Sequence, residues 1–370
     1  MIKLQQLMKF KQMKNFLITF LIILSIILTF CGNPDKSDIL PEYGSGVFIL
    51  NEGGYMHGNS TLSYYDPINK TIKNDIFTKK NDFPLGDQAQ SLYIYENLVY
   101  ITVCNDGKLY SLDKNTFEFH NKITNLISPR YIIFLNANKA YISDMWGKCI
   151  YVVNPQTYTL LKTINLDAHN SKNPYQHSSE EMVIIDNLLF TNSWNYDNKI
   201  LVIDTNTDDL TDSIEVLVQP KKMVLDKNNK LWVLCDGSYS GSILSGEKGI
   251  VKINTQTRKV EQTFLFNNQT SNNEYIVNDM KINASKDTIY YIYKDVYQLS
   301  IYSTELSTIP YIKSENNNFY ALGIDPSNSD LYISDVVDYM QNGVIYRYNS
   351  NKELIDNFGC GIIPSCFGFK

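Results

Sequence analysis

A chain of 370 residues with 44% hydrophobic content is long enough to bury one large core or two ordinary ones. Its formal net charge of −6, with lysines dispersed along the chain, argues against a nucleic-acid groove, and its 27 tyrosines suit strands better than helices. None of the six cysteines stands in a CxxC or Cys/His spacing that would suggest zinc.

At the N-terminus, Lys9, Lys11 and Lys14 precede the apolar run Phe16 to Phe30, and Cys31 follows at once. Charge, then an apolar stretch, then cysteine is the order of a lipoprotein signal peptide, so residues 1–30 are expected to be the leader and Cys31 the lipidation site. Leu28-Thr-Phe-Cys31 resembles a bacterial lipobox, although Phe30 is larger than the residue usual there. A single-pass anchor is the alternative, but about fifteen apolar residues are short for a bilayer. Residues 31–45 read as a lipidated tether, reaching at most about 45 Å when extended. The expected address is the outer membrane, lipid-anchored, on the cell surface.

Residues 46–370 are built from repeated units. A second strand in each carries an aromatic among aliphatics: Phe48, Tyr100, Tyr141, Phe190, Trp232, Tyr290 and Tyr332. These recur roughly every 40–60 residues, the period of four-stranded propeller blades. Third strands such as Thr61-Leu-Ser-Tyr-Tyr-Asp66 and Lys199-Ile-Leu-Val-Ile-Asp204 end on Asp or Asn, whose side chains favour tight turns. Unit six fits worst, with Ser300-Ile-Tyr-Ser-Thr at this place, and a count of six or eight is the alternative if it is misread. Opening strands begin Pro129-Arg-Tyr-Ile and Pro220-Lys-Lys-Met, yet Gly46-Val-Phe-Ile-Leu-Asn-Glu52 has none before it. The last residues, Pro364-Ser-Cys-Phe-Gly-Phe-Lys370, can fill that gap and leave no sheet edge bare. The expectation is an all-β, seven-bladed propeller of four-stranded antiparallel blades. Its C-terminal strand supplies the inner strand of the first blade, and no helix is read beyond the leader. Cys104 and Cys235 read as buried thiols, and a Cys360–Cys366 bridge could staple the closure.

In such a ring, the loops between strands two and three and between blades emerge on one face. The first kind supplies Tyr55 and His57, Trp146, Trp194 and Tyr196, Tyr239, and Tyr339; the second adds Phe83 and Tyr175. These are the candidate ligand-binding residues, because rings beside Asn and Ser suit a large, flat, amphipathic ligand. Glu52, Asp144, Asp236 and Asp335, where second strands end, read as loop caps rather than acid–base groups. His57, His169 and His177 read as loop histidines rather than metal ligands. No nucleophile elbow, phosphate loop or dinucleotide fingerprint occurs, so no catalytic residue, metal or cofactor is assigned.

The cadence of Pro-x-x-hydrophobic, aromatic-hydrophobic and [Asp/Asn]-x-x-Thr resembles the YncE-like, or YVTN, seven-bladed propellers. Gly46-Val-Phe-Ile-Leu-Asn-Glu-Gly-Gly-Tyr55, Asn59-Ser-Thr-Leu-Ser-Tyr-Tyr-Asp66 and Gly361-Ile-Ile-Pro look like the DUF5074-like branch of Bacteroidetes surface lipoproteins. Some members of that branch capture vitamin B12 and other corrinoids. The resemblance therefore implies a non-enzymatic binder whose partners are a corrinoid-like small molecule and a TonB-dependent outer-membrane transporter. Contact with the membrane would be through the lipid anchor alone. The alternatives are a propeller enzyme of the lactonase, lyase or quinone-dependent dehydrogenase kind, and an adhesion or scaffold propeller.

Overall fold

Short runs of β-branched and aromatic residues, broken by Asx-rich turns, give 27 strands in the computed structural model, which describes residues 46–166, 177–239, 241–242, 244–266 and 277–370. The leader, Cys31 and the tether lie outside these residues. Blade one holds β1 (Val47–Asn51), β2 (Thr61–Asp66) and β3 (Thr71–Lys73), followed by α1 (Ile76–Asn81). Blade two is β4 (Ala89–Tyr95), β5 (Leu98–Val103), β6 (Lys108–Asp113) and β7 (Phe119–Ile123). Blade three is β8 (Pro129–Asn136), β9 (Lys139–Asp144), β10 (Cys149–Asn154) and β11 (Thr159–Asn165). Blade four is β12 (Ser179–Ile185), β13 (Leu188–Ser193), β14 (Lys199–Asp204) and β15 (Asp209–Glu215). Blade five is β16 (Pro220–Leu225), β17 (Lys230–Cys235), β18 (Gly249–Asn254) and β19 (Lys259–Leu265). Blade six is β20 (Val277–Ile282), β21 (Thr288–Tyr293) and β22 (Asp295–Ser300). Blade seven is β23 (Phe319–Ile324), β24 (Leu331–Asp335), β25 (Asn342–Tyr348) and β26 (Leu354–Ile362), after which β27 (Pro364–Phe369) returns to blade one.

The anticipated turns form through their Asx side chains. Asp113 Oδ1 accepts the N–H groups of Asn115 and Thr116 at 2.8 Å, and Asp66, Asn154, Asp204 and Asn254 repeat the pattern. Six of the seven second-strand aromatics are buried, Phe48, Tyr141, Phe190, Trp232 and Tyr332 completely. They pack between neighbouring blades: Trp232 of blade five lies in one cluster with Met280 and Tyr291 of blade six. Burying each such ring contributes about 1.5–3 kcal/mol, and Trp232 also satisfies its indole N–H on Asp226 Oδ2 at 2.8 Å.

Blade six departs from expectation. Its third strand is β22, which ends on Ser300 where that strand was expected to begin, because β21 turns back on itself through Lys294 alone, at φ 63°. Among the described residues this blade has three strands, helped by a single bridge between Val296 and Ile312. Its buried ring is Tyr291 rather than Tyr290. A second departure is α1, a six-residue helix that seats buried Ile76 and Phe77 between blades one and two.

The ring closes as the tail predicted. Within β27, Phe369, Phe367 and Cys366 pair with Val47, Ile49 and Leu50 of β1. Lys370 N–H donates to Gly46 O at 2.9 Å. Phe369 and Phe367 pack against Tyr332 of blade seven, with ring centroids 5.6 and 6.1 Å away. Further out, buried Arg347 holds Asp330 with Nε at 2.9 Å and Nη2 at 2.6 Å, and reaches Pro67 O of blade one with Nη1 at 3.0 Å. No disulfide reinforces this seam: Cys360 and Cys366 are both free and face different neighbours, Gly343 O and Leu92 O. Cys104 and Cys235 are buried thiols, as anticipated.

Candidate functional site

The innermost strand of every blade slips out of register near its start. Between Pro129 and Ile132 of β8, two residues oppose one on β9, and the same happens between Ser179 and Met182, Val277 and Met280, and Phe319 and Leu322. In β4, β16 and β27 the slip follows Ala89, Pro220 and Pro364. A bulge inserts an extra residue and re-aims its side chain. Here the same irregularity, repeated in each of the seven blades, turns one or two side chains per blade toward the axis. They line a cavity of about 180 Å³.

Blades three to six give this cavity a charged arc. Arg130 Nε donates to Glu180 Oε2 at 2.9 Å. Lys222 Nζ donates to Glu181 Oε1 at 3.0 Å and to the Tyr131 hydroxyl at 3.1 Å, and Lys281 stands 3.4 Å from Asp279 Oδ1. Blades seven, one and two complete the wall with Tyr320, Ser365 and Gln90 and with one acid, Glu52. Burial pushes the Lys221 ammonium below its ordinary range, and the like charge of Lys222 adds to this. Burial also raises Glu52 above the ordinary carboxylate value, against the pull of Arg130 and Lys222.

The other acids at the ends of second strands cap loops. Asp144 accepts the N–H groups of Ile127 and Ser128 at 3.1 and 2.7 Å and of Gly147 at 2.7 Å, tying the loop before β8 to the loop after β9. Asp335 does the same for Asn318 and Val337. Glu52 is different, because it lines the cavity.

The rim residues divide. Trp194 lines the cavity, its indole N–H on Asp236 Oδ2 at 3.0 Å. Tyr339 packs edge-on against Tyr320 at 5.8 Å and so borders the same opening. Tyr55 and Tyr239 are largely exposed on their loops, and His57 Nδ1 lies 2.8 Å from Tyr55 O. Tyr196 is half-buried with a left-handed backbone, φ 52°. Trp146 is exposed over a separate groove beside Lys148 and Tyr151, so the two tryptophans do not share a cavity. Phe83 packs among Phe77, Tyr110 and Phe119, because α1 carries the chain between blades one and two. Tyr175 and His169 lie outside the described residues. His177 is buried with Nδ1 2.8 Å from Asp197 Oδ2. No cluster of His, Cys, Asp and Glu suited to a metal occurs among the described residues.

Sequence reasoning missed the axial wall. Its signal was the polar pair after each opening residue: Arg130-Tyr131, Glu180-Glu181, Lys221-Lys222 and Asn278-Asp279 interrupt strands that are otherwise inward and apolar.

Seven antiparallel blades sealed by a C-terminal strand, with a polar mouth on the axis, define a seven-bladed β-propeller. Residues 45–360 match the model of a domain of unknown function, DUF5074, and the chain belongs to that family. No curated protein matches it. Among solved structures, a quinonprotein alcohol dehydrogenase-like protein from Bacteroides thetaiotaomicron superposes with a TM-score of 0.66 at 16% identity, covering 87% of this chain and 77% of that one. Hydrazine synthase from Kuenenia stuttgartiensis gives a TM-score of 0.57 at 13% identity, over 75% of this chain and 88% of the other. The β-propeller domain of Cps50 (Swd1) from Myceliophteria thermophila gives 0.60 at 9% identity, over 79% and 91%. At these identities the likeness is one of fold.

Proposed function

We propose that this chain is a lipid-anchored binding propeller on the outer-membrane surface, not an enzyme, and that its cargo is vitamin B12 or another corrinoid passed to a TonB-dependent transporter. The observation that carries the reading is the junction at Trp194. One aromatic ring, fixed by Asp236, stands at the mouth of a cavity walled by amides, hydroxyls and charges, with Tyr339 and Tyr320 also at the opening. A cavity of about 180 Å³ admits one polar arm of a large ligand, not its body. A flat macrocycle bearing peripheral amides would lie across the opening and lower an arm into it. Covering roughly 300 Å² of its apolar area offers about 7 kcal/mol before association costs. Lipidation would keep capture and hand-over on one surface, where effective concentration is high.

Titration of the full chain in detergent with cyanocobalamin and with cobinamide, by calorimetry and visible absorption under anaerobic conditions, tests the reading. Saturable heat at micromolar ligand is expected. A flat calorimetric trace and an unshifted spectrum for both compounds would dismiss the corrinoid as cargo.

A further inference from the structure

We infer that the axial mouth is a site for a protonated oxyanion, monohydrogen phosphate, gripped by Lys221, Lys281 and Arg130 and read by Glu180. The inference stands apart from the corrinoid reading, since a phosphodiester carries no P–OH.

It follows from which hydrogen-bonding groups the wall uses up and which it leaves. Glu181 is spent: Oε1 takes Lys222 and Oε2 takes the Met223 N–H at 2.8 Å. Asp279 is spent likewise, with Oδ1 accepting the Met280 N–H at 2.9 Å and Oδ2 the Leu322 N–H at 2.8 Å. Donors are left over. Lys221 Nζ gives one hydrogen to Val277 O at 2.9 Å and keeps two. Among the described residues Lys281 has only the 3.4 Å contact to Asp279, and its side chain is 37% exposed. Arg130 uses Nε on Glu180 and turns Nη1 to Cys104 Sγ at 3.5 Å, leaving Nη2 without a protein acceptor among the described residues. Among the described residues a buried carboxylate oxygen is left over too: Glu180 is 4% exposed, and its Oε1 has no partner there.

The complement of surplus cationic donors and the unpaired oxygen of a buried carboxylate is an anion with several acceptor oxygens and one O–H. Monohydrogen phosphate has that pattern; sulfate and carboxylates at neutral pH lack the hydrogen. A buried acceptor left facing a bare oxyanion is heavily penalised, which is how such a site would discriminate. Ser365, whose Oγ also lacks a partner among the described residues, adds a neutral group to the same wall. Lys221 is held in a place that disfavours its charge, and an arriving anion would relieve that. Glu52 stands on the same wall, where burial raises its carboxyl against the pull of Arg130 and Lys222.

Calorimetry of the full chain at pH 7 with inorganic phosphate, sulfate and glucose 6-phosphate in parallel tests this. Phosphate should bind and sulfate should bind at least about tenfold more weakly. Lys221→Met should weaken phosphate by about tenfold or more, with Lys281→Met as the second variant should the first not fold. Glu180→Gln should erase the preference over sulfate. Glucose 6-phosphate, whose phosphate has mostly lost its hydrogen at pH 7 because its second pKa is about 6, should bind about as weakly as sulfate; heat from phosphate alone supports the site, and equal heats from the ester would overturn the reading by Glu180. Absent phosphate binding, or equal phosphate and sulfate affinities in the parent chain, overturns it, whatever the corrinoid titration gives.

Discussion

Replacing Gly323 with alanine should loosen the ring at its seam. Gly323 lies on β23, the innermost strand of blade seven, and a Cβ there would stand 2.7 Å from Phe367 Cγ and 2.8 Å from Phe367 Cβ, against an ordinary contact of at least 3.4 Å. Phe367 belongs to β27, so the clash falls across the closure itself. Overpacking of this kind costs about 1–3 kcal/mol. Phe367→Ala removes a half-buried ring from its place beside Tyr332 and should cost about 2 kcal/mol, below the range for a fully buried phenylalanine. In the double variant the clashes with Cγ and Cδ2 are gone while the 2.8 Å approach to the Cβ that alanine keeps remains, so the overpacking is relieved in part and the losses should fall short of additivity by about 1 kcal/mol. Guanidinium unfolding of all four chains, followed by tryptophan fluorescence with buried Trp232 as reporter, measures the cycle. If Gly323→Ala unfolds at the parental midpoint, or if the single effects simply add, β23 and β27 do not pack as described.

Arg347→Met should cost about 3–5 kcal/mol, since it leaves Asp330 buried without its cation; Arg347→Met with Asp330→Asn should recover part of that in the same unfolding assay. Glu52 binds its proton more tightly folded than unfolded, because burial raises it above 4.5. Stability should therefore fall as pH rises from about 4.5 through the raised value. Glu52→Gln lacks that loss, so its stability relative to the parent should improve between pH 4 and 7, and a gap that stays constant over this window would contradict the account. Trp194→Ala should weaken cyanocobalamin by about 1–3 kcal/mol if the ring stacks on ligand, whereas Trp146→Ala, over its separate groove, should change titration heats little; unchanged affinity in the Trp194 variant would move the site away from the mouth.

Much of the wheel was legible in the chain because its signals are local. An aromatic in each second strand and an Asx at the end of each third strand act within a few residues, and Phe48, Trp232, Asp113 and Asn254 do what their positions implied. Unit six was misplaced because the loop used to count strands shrank to Lys294. The short helix was missed because Ile76-Phe-Thr-Lys-Lys-Asn81 is too brief to show a period, and its fit depends on distant Phe119 and Tyr110. The aromatic rim was read from loop membership, which gives the face but not the radius, so Phe83 and Trp146 lie away from the axis while Trp194 lies on it. The axial wall escaped because a register slip changes which way a side chain points without changing the sequence pattern around it. Only the charged pairs inside apolar strands betray it.

Because β27 is synthesised after every other strand, blade one must wait for it while blades two to seven can assemble as they emerge. Ser365 and Cys366 arrive on that same strand and form part of the axial wall. Sealing the circle and finishing the cavity are therefore one event. A chain that stalls short of Pro364 would have no complete mouth to offer, so quality control of the fold doubles as quality control of the site.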